Sequence, residues 1–224
     1  MIKLVIFDLD GTLIDSAPDV VATTNDLVQA KGLPPLPREM IVAAIGEGLA
    51  RTIFKLFPEA QNNPLALAKI EKEFLAHYEV NLLRHTTVFP GVKEALARCV
   101  SAGRQIAIVT NKHERLTRKT LVGLGLDHLP WMRVFGADSL AQRKPDPLPL
   151  LEVMKAAQVS PNETLMVGDG LPDMLAANRA GVRSVAVEFG YGPLEALRAE
   201  GASLTLRHYD ELDRVIKRAE EPIG

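Results

Sequence analysis

The chain has little of what would staple, anchor or coat a protein. Among 224 residues there is one cysteine, Cys99, which excludes an intramolecular disulfide and a cysteine-based zinc site and fits a reducing compartment. No apolar run approaches the ~20 residues that a membrane-crossing helix needs. The N-terminus enters a strand after a single Lys, without the long apolar region and small-residue cleavage site of a signal peptide, so the expected location is cytoplasmic and no membrane partner is expected. Basic residues are not in excess: 26 Lys and Arg against 28 Asp and Glu give a net charge of −2, which recommends no nucleic acid as partner. Low-complexity tracts are lacking, as are repeats of roughly 20–50 residues, so arrays and solenoids are set aside. The five histidines (His77, His85, His113, His128 and His208) are scattered and suit solvated or core roles better than ligation.

What is present is organised around the first fifteen residues. Leu4-Val5-Ile6-Phe7 is a short, unbroken apolar run rich in β-branched residues, the pattern of a strand buried on both faces of a parallel sheet. It delivers Asp8 and Asp10, which bracket Leu9 and would share one face in extended backbone, before Gly11 lets the chain turn away. Two acids held that close repel each other unless a cation or a shared proton relieves them, which points to a metal site; the bland alternative is one turn-capping acid and one solvated acid.

From Pro18 to about Arg84 helical periodicity dominates. Val20, Val21, Leu27 and Val28 mark one amphipathic face; Arg38 to Leu56 gives a second pattern, broken near Gly46-Glu47-Gly48; Leu65 to Leu83 gives a third. After Thr86-Thr87 strands and helices alternate to the end of the chain, with strands expected at Gln105 to Val109, Met132 to Phe135, Thr164 to Val167, Ser184 to Val187 and Ala202 to Leu206. Cys99 falls in the helical pattern Val92, Ala95, Leu96, Cys99, Val100 and reads as core. The expected architecture is α/β: a doubly wound, Rossmann-like parallel sheet formed by residues 1–16 and 86–224, interrupted by a helical cap at 17–85. Sites in such sheets lie at the carboxyl ends of the strands. Hinges are expected at Ser16 to Pro18 and Arg84 to Thr87.

Four segments reach that mouth in order: Asp8-Leu9-Asp10-Gly11-Thr12-Leu13, Thr110-Asn111-Lys112, Lys144-Pro145-Asp146-Pro147 and Gly168-Asp169-Gly170-Leu171-Pro172-Asp173. Together they resemble the four signatures of the haloacid dehalogenase superfamily, specifically its aspartate-nucleophile phosphatases. The resemblance implies an enzyme that hydrolyses phosphate esters through an aspartyl-phosphate on Asp8, with Mg2+ bound by Asp8, the backbone carbonyl of Asp10 and Asp169. Asp173 would hold a metal-bound water or orient Lys144. It further implies Asp10 as general acid and base, Thr110 and the Asn111 amide as phosphoryl donors, and Lys144 as the cation between nucleophile and phosphate. Lys112 reads as a solvated surface lysine. Where the family often has Ser after the metal-binding Asp, this chain has Gly170.

Ile45-Gly46-Glu47-Gly48, Phe89-Pro90-Gly91-Val92 and Phe189-Gly190-Tyr191-Gly192 look like the phosphoglycolate phosphatase branch; the bland reading is that Gly46 and Gly48 only break a helix and that Gly190-Tyr191-Gly192 only makes a turn. That branch implies a small phosphorylated metabolite as substrate and a cationic cap group near it, for which Arg51 is the candidate. A monomer or homodimer is expected. The rivals are a phosphosugar phosphatase, a β-phosphoglucomutase-like phosphotransferase and, remotely, a non-catalytic interaction module on the same fold.

Overall fold

The computed structural model describes residues 1–221. In chain order, β1 (Leu4–Phe7) and β2 (Ile14–Asp15) lead into α1 (Ala17–Ala30), α2 (Arg38–Val42), α3 (Leu49–Leu56) and α4 (Pro64–Asn81). The chain returns through β3 (Thr87–Val88) to α5 (Val92–Ser101), β4 (Gln105–Val109), α6 (Glu114–Gly123), β5 (Trp131–Phe135) and α7 (Leu148–Ala157). It ends with β6 (Thr164–Gly168), α8 (Leu171–Ala180), β7 (Arg183–Val187), α9 (Leu194–Ala199), β8 (Leu204–Leu206) and α10 (Leu212–Glu220). Six strands form one parallel sheet in the order β5-β4-β1-β6-β7-β8, a Rossmann-like α/β arrangement.

The inner strands are mainly apolar because helices cover both faces, and the two-residue period divides each of them between two cores. Val5 and Phe7, with Ile106, Ile108, Leu165 and Val167, pack against α5, α6 and α10. Leu4 and Ile6, with Ala107, Val109 and Met166, pack against α7 and α8. Cys99 is buried in the first of these cores, and burial pushes its thiol up to about 11.

Helices α1 to α4 build a third core from Leu27, Ile41, Ile53, Ile70 and Phe74, which also takes in Leu116 of α6. The crossings into and out of this bundle are tied together. β2 pairs antiparallel with β3, Ile14 opposite Val88 and Asp15 opposite Thr87. In the first turn of α1, buried Asp19 accepts hydrogen bonds from the amides of His85 and Thr86 (2.9 and 3.0 Å) and from the Thr86 hydroxyl (2.6 Å).

Candidate active site

The three central strands end side by side, and each hands a polar residue to the same edge. Asp8 follows β1, Thr110 follows β4 and Asp169 follows β6, all three buried. The parity that turns Leu4 and Ile6 toward α7 and α8 carries on to Asp8. From those helices come its neighbours: Lys144 from the loop ahead of α7, and Asp173 from the first turn of α8. Lys144 Nζ lies 2.5 Å from Asp173 Oδ1 and 3.0 Å from Asp8 Oδ1. Asp173 is held in turn by the Gly170 amide, which donates to its Oδ2 at 2.9 Å, a carboxylate closing the exposed amides at a helix N-terminus.

Asp169 is fixed from two sides: the Thr12 hydroxyl donates to its Oδ1 and the Tyr191 amide to its Oδ2, both at 2.9 Å. Two turns without side chains admit it. Gly11 has φ +79°, and a Cβ there would sit 2.2 Å from Asp169 Oδ2; at Gly190 a Cβ would sit 2.1 Å from Asp169 Cβ.

This packing is electrostatically expensive. Burial, helped by Asp173 and opposed by Lys144, pushes Asp8 up to about 7. Burial, then Asp8 and Asp173, holds Asp169 well above the usual carboxylate range. Burial works against the Lys144 charge, yet Asp173 and Asp8 outweigh it and raise its pKa, so it stays an ammonium. One cation does not balance three acids. The residues fit a hard divalent ion: Asp8, Asp169 and Asp173 present oxygens all within 4.8 Å of one another, and Asp8 Oδ1 has no hydrogen-bond donor, the nearby Lys144 ammonium lying outside hydrogen-bonding geometry.

Asp10 does not join that cluster. The backbone bends at Leu9, between the two acids, before it turns at Gly11, whose amide donates to Ile14 O at 2.8 Å, so it is not extended through Asp8 and Asp10 as the sequence pattern predicts. The Asp10 carboxylate instead accepts from the Ser16 hydroxyl (2.6 Å) and from Lys112 Nζ (2.9 Å). Lys112 is therefore not a solvated lysine. Its side chain is 6% exposed, and its ammonium also donates to the Tyr78 hydroxyl of α4 at 2.9 Å. Burial opposes the Lys112 charge, but Asp10 and Tyr78 overcome it and raise its pKa.

Asp8, Asp10, Thr110, Asn111 and Lys112 line one side of a cavity of about 80 Å³, with Gly46, Leu49, Phe74 and Tyr78 of the bundle opposite. Asn111 ties the two sides together, its amide nitrogen donating to Gly46 O (3.0 Å) and Lys144 O (3.1 Å). Arg51 is not brought there: its side chain is 55% exposed and pairs with Glu47 at 3.4 Å. The turn read from Gly190-Tyr191-Gly192 does more than reverse the chain. The Tyr191 hydroxyl accepts from the amides of Ser16 and Ala17 (2.8 and 3.0 Å) and donates to Asp15 at 2.9 Å, fixing the entry to α1.

A family model described as haloacid dehalogenase-like hydrolase matches residues 5–187. A phosphoglycolate phosphatase from Chromobacterium violaceum is 37% identical over 221 residues, covering 96% of this chain and 97% of its own length. Another from Xylella fastidiosa strain Temecula1 is 39% identical over 193 residues, covering 84% and 81%. Among solved structures, one described as a predicted phosphoglycolate phosphatase from Haemophilus somnus 129Pt superposes with a TM-score of 0.88 at 27% identity, covering 96% of this chain and 98% of that one.

Proposed function

From the haloacid dehalogenase-like hydrolases, the family to which this chain belongs as a phosphatase, we propose a specific reaction: hydrolysis of 2-phosphoglycolate to glycolate and phosphate. The observation that carries the site assignment is the buried meeting of Asp8 with Lys144, Asp169 and Asp173 at the carboxyl edge of the sheet. The substrate is carried over from relatives of that name that match most of the chain.

In this reading an Asp8 oxygen attacks phosphorus, the bond from phosphorus to the ester oxygen breaks, and Asp10 gives its proton to the departing glycolate oxygen. Water then attacks the phosphorus of the aspartyl-phosphate, Asp10 takes up the water's proton, and Asp8 is released as a carboxylate. Thr110 and the Asn111 amide donate to the phosphoryl oxygens, and Lys144 offsets their charge together with that of Asp8. Asp173 keeps the Lys144 ammonium in place. The proposed metal is Mg2+, held by Asp8, the Asp10 carbonyl and Asp169, with Asp173 behind them. Bound there, it would mask the anionic charge that otherwise repels the nucleophile from the phosphoryl group.

Residues 1–16 and the chain from 86 onward serve as the catalytic core, and 17–85 as a cap that closes over it. Among the described residues no helix is long and apolar enough to cross a membrane; a cytoplasmic enzyme acting on a small soluble metabolite completes the reading. The test is phosphate release with and without Mg2+ across phosphoglycolate, hexose phosphates, mononucleotides and pyrophosphate. The highest kcat/KM is expected with phosphoglycolate and only with the metal; a hexose phosphate as the best substrate overturns the choice of substrate, and sugar isomerisation without phosphate release overturns hydrolysis.

A further inference from the structure

Building on the phosphoglycolate reading, we infer that Lys112 selects the substrate class: its ammonium receives a carboxylate carried on the carbon next to the phosphate ester, while Asp10 faces the ester oxygen.

Two basic residues line the cavity, Lys112 and His113. The His113 ring is turned to Asp138, 3.3 Å away, and is 38% exposed. Lys144 is held between Asp8 and Asp173, and Arg51 lies outside on the bundle surface. Lys112 is therefore the buried cation that a second anionic group of the substrate would meet. Its ammonium has three donors, of which Asp10 and Tyr78 take two, leaving one for a ligand oxygen. On the bundle side, the side chains of Leu49, Phe74 and Leu75 offer an anion no donor, so a carboxylate lying against them gains from that of Lys112.

Spacing narrows the class further. Lys112 Nζ and Asp10 Oδ1 are 2.9 Å apart, so a ligand that touches both groups at once presents two oxygens close together. A 2-phosphoryl carboxylate does so, with ester oxygen and carboxylate on neighbouring carbons. A 3-phosphoryl carboxylate carries its charge one carbon further away, and a sugar phosphate offers hydroxyls that gain less from an ammonium. Tyr78 holds the ammonium from the bundle side, and its ring lies 4.8 Å from Nζ, so the donor is aimed only when the helices sit over the strand ends.

The experiment measures kcat/KM with Mg2+ for 2-phosphoglycolate, 2-phospholactate and ethyl phosphate, the last lacking the carboxylate, in the unaltered chain, Lys112→Met and Lys112→Arg. The unaltered enzyme is expected to favour the carboxylates over ethyl phosphate, and Lys112→Met to shrink that preference at least about tenfold, chiefly through KM. Lys112→Arg should keep most of it, and inhibition by glycolate should weaken in step with the lost preference. Lys112→Gln replaces Lys112→Met if the latter does not fold. If both substrate types slow equally and the preference survives, Lys112 only braces Asp10 and the inference fails. If 2-phospholactate outruns phosphoglycolate and Lys112→Met still abolishes the preference, the named substrate is wrong while the role of Lys112 stands. No preference for carboxylates in the unaltered enzyme overturns both.

Discussion

Burial sets what Asp8 and Asp169 do with protons before any substrate arrives. An unfolded aspartate titrates near ~3.9, whereas Asp8 in the fold is pushed up to about 7. Between those values the folded chain holds a proton that the unfolded chain has released, so stability falls as pH rises through the window; the penalty is absent below the lower value and complete above the upper. Asp169 is shifted in the same direction. Metal-free protein is therefore expected to melt at a lower temperature at pH 8 than at pH 6, with Mg2+ raising the melting temperature more at pH 8. Thermal unfolding at the two pH values, with and without Mg2+, checks this, and greater metal-free stability at pH 8 contradicts it. Several of these residues are legible in the sequence because a strand end followed by Gly marks them: Asp8 before Gly11, Asp169 before Gly170. Lys112 is not. Whether a lysine next to Asn111 reaches solvent or Asp10 depends on Tyr78, 34 residues distant in sequence, and no local pattern carries that.

At the scale of elements, two short connections decide how the helical bundle is held over the sheet. Asp19 gives both carboxylate oxygens to the returning chain, and removing it leaves the amides of His85 and Thr86 without their acceptor. Asp19→Ala is expected to cost about 1–3 kcal/mol, read from the midpoint of chemical denaturation; an unchanged midpoint removes this tie from the account. The turn at Gly190 is the other. Its Cα stands so close to Asp169 that Gly190→Ala must displace the carboxylate, and the Mg2+ concentration for half-maximal activity should rise at least about tenfold in a protein that remains folded. An unaltered metal requirement speaks against that placement. Helix α8 is predictable to its ends, since Gly170 and Gly181 bracket Leu171 to Ala180. The pair β2 and β3 is not: two residues carry no period, and their pairing joins positions more than seventy residues apart. Likewise Arg51 lies near the expected glycine turn in sequence, but the helix that carries it turns the side chain outward to Glu47.

For the molecule as a whole, the site exists only where sheet and bundle meet. The core supplies Asp8, Thr110 and Lys144, while Gly46 and Tyr78 of the bundle touch Asn111 and Lys112 across the cavity. The alternation of buried strands and amphipathic helices makes a parallel sheet readable, and the long helical stretch makes an insertion readable. The placement of β1 between β4 and β6 is not contained in either pattern, since it arises from pairings between distant segments. If 17–85 is a cap that must open to exchange substrate and product, a rigid crosslink from the bundle to the sheet should lower kcat at least about tenfold, and unchanged turnover in the crosslinked protein rules out gating. All of these roles depend on Asp8 carrying the phosphoryl group. The most direct measurement quenches the enzyme in acid during turnover of phosphoglycolate with Mg2+ and locates phosphate on the protein by peptide mass spectrometry. The account predicts a phosphoryl adduct on Asp8 that disappears when substrate is exhausted and is absent from Asp8→Asn. A protein that turns over with no adduct on Asp8, or an Asp8→Asn variant that hydrolyses at the unaltered rate, contradicts it.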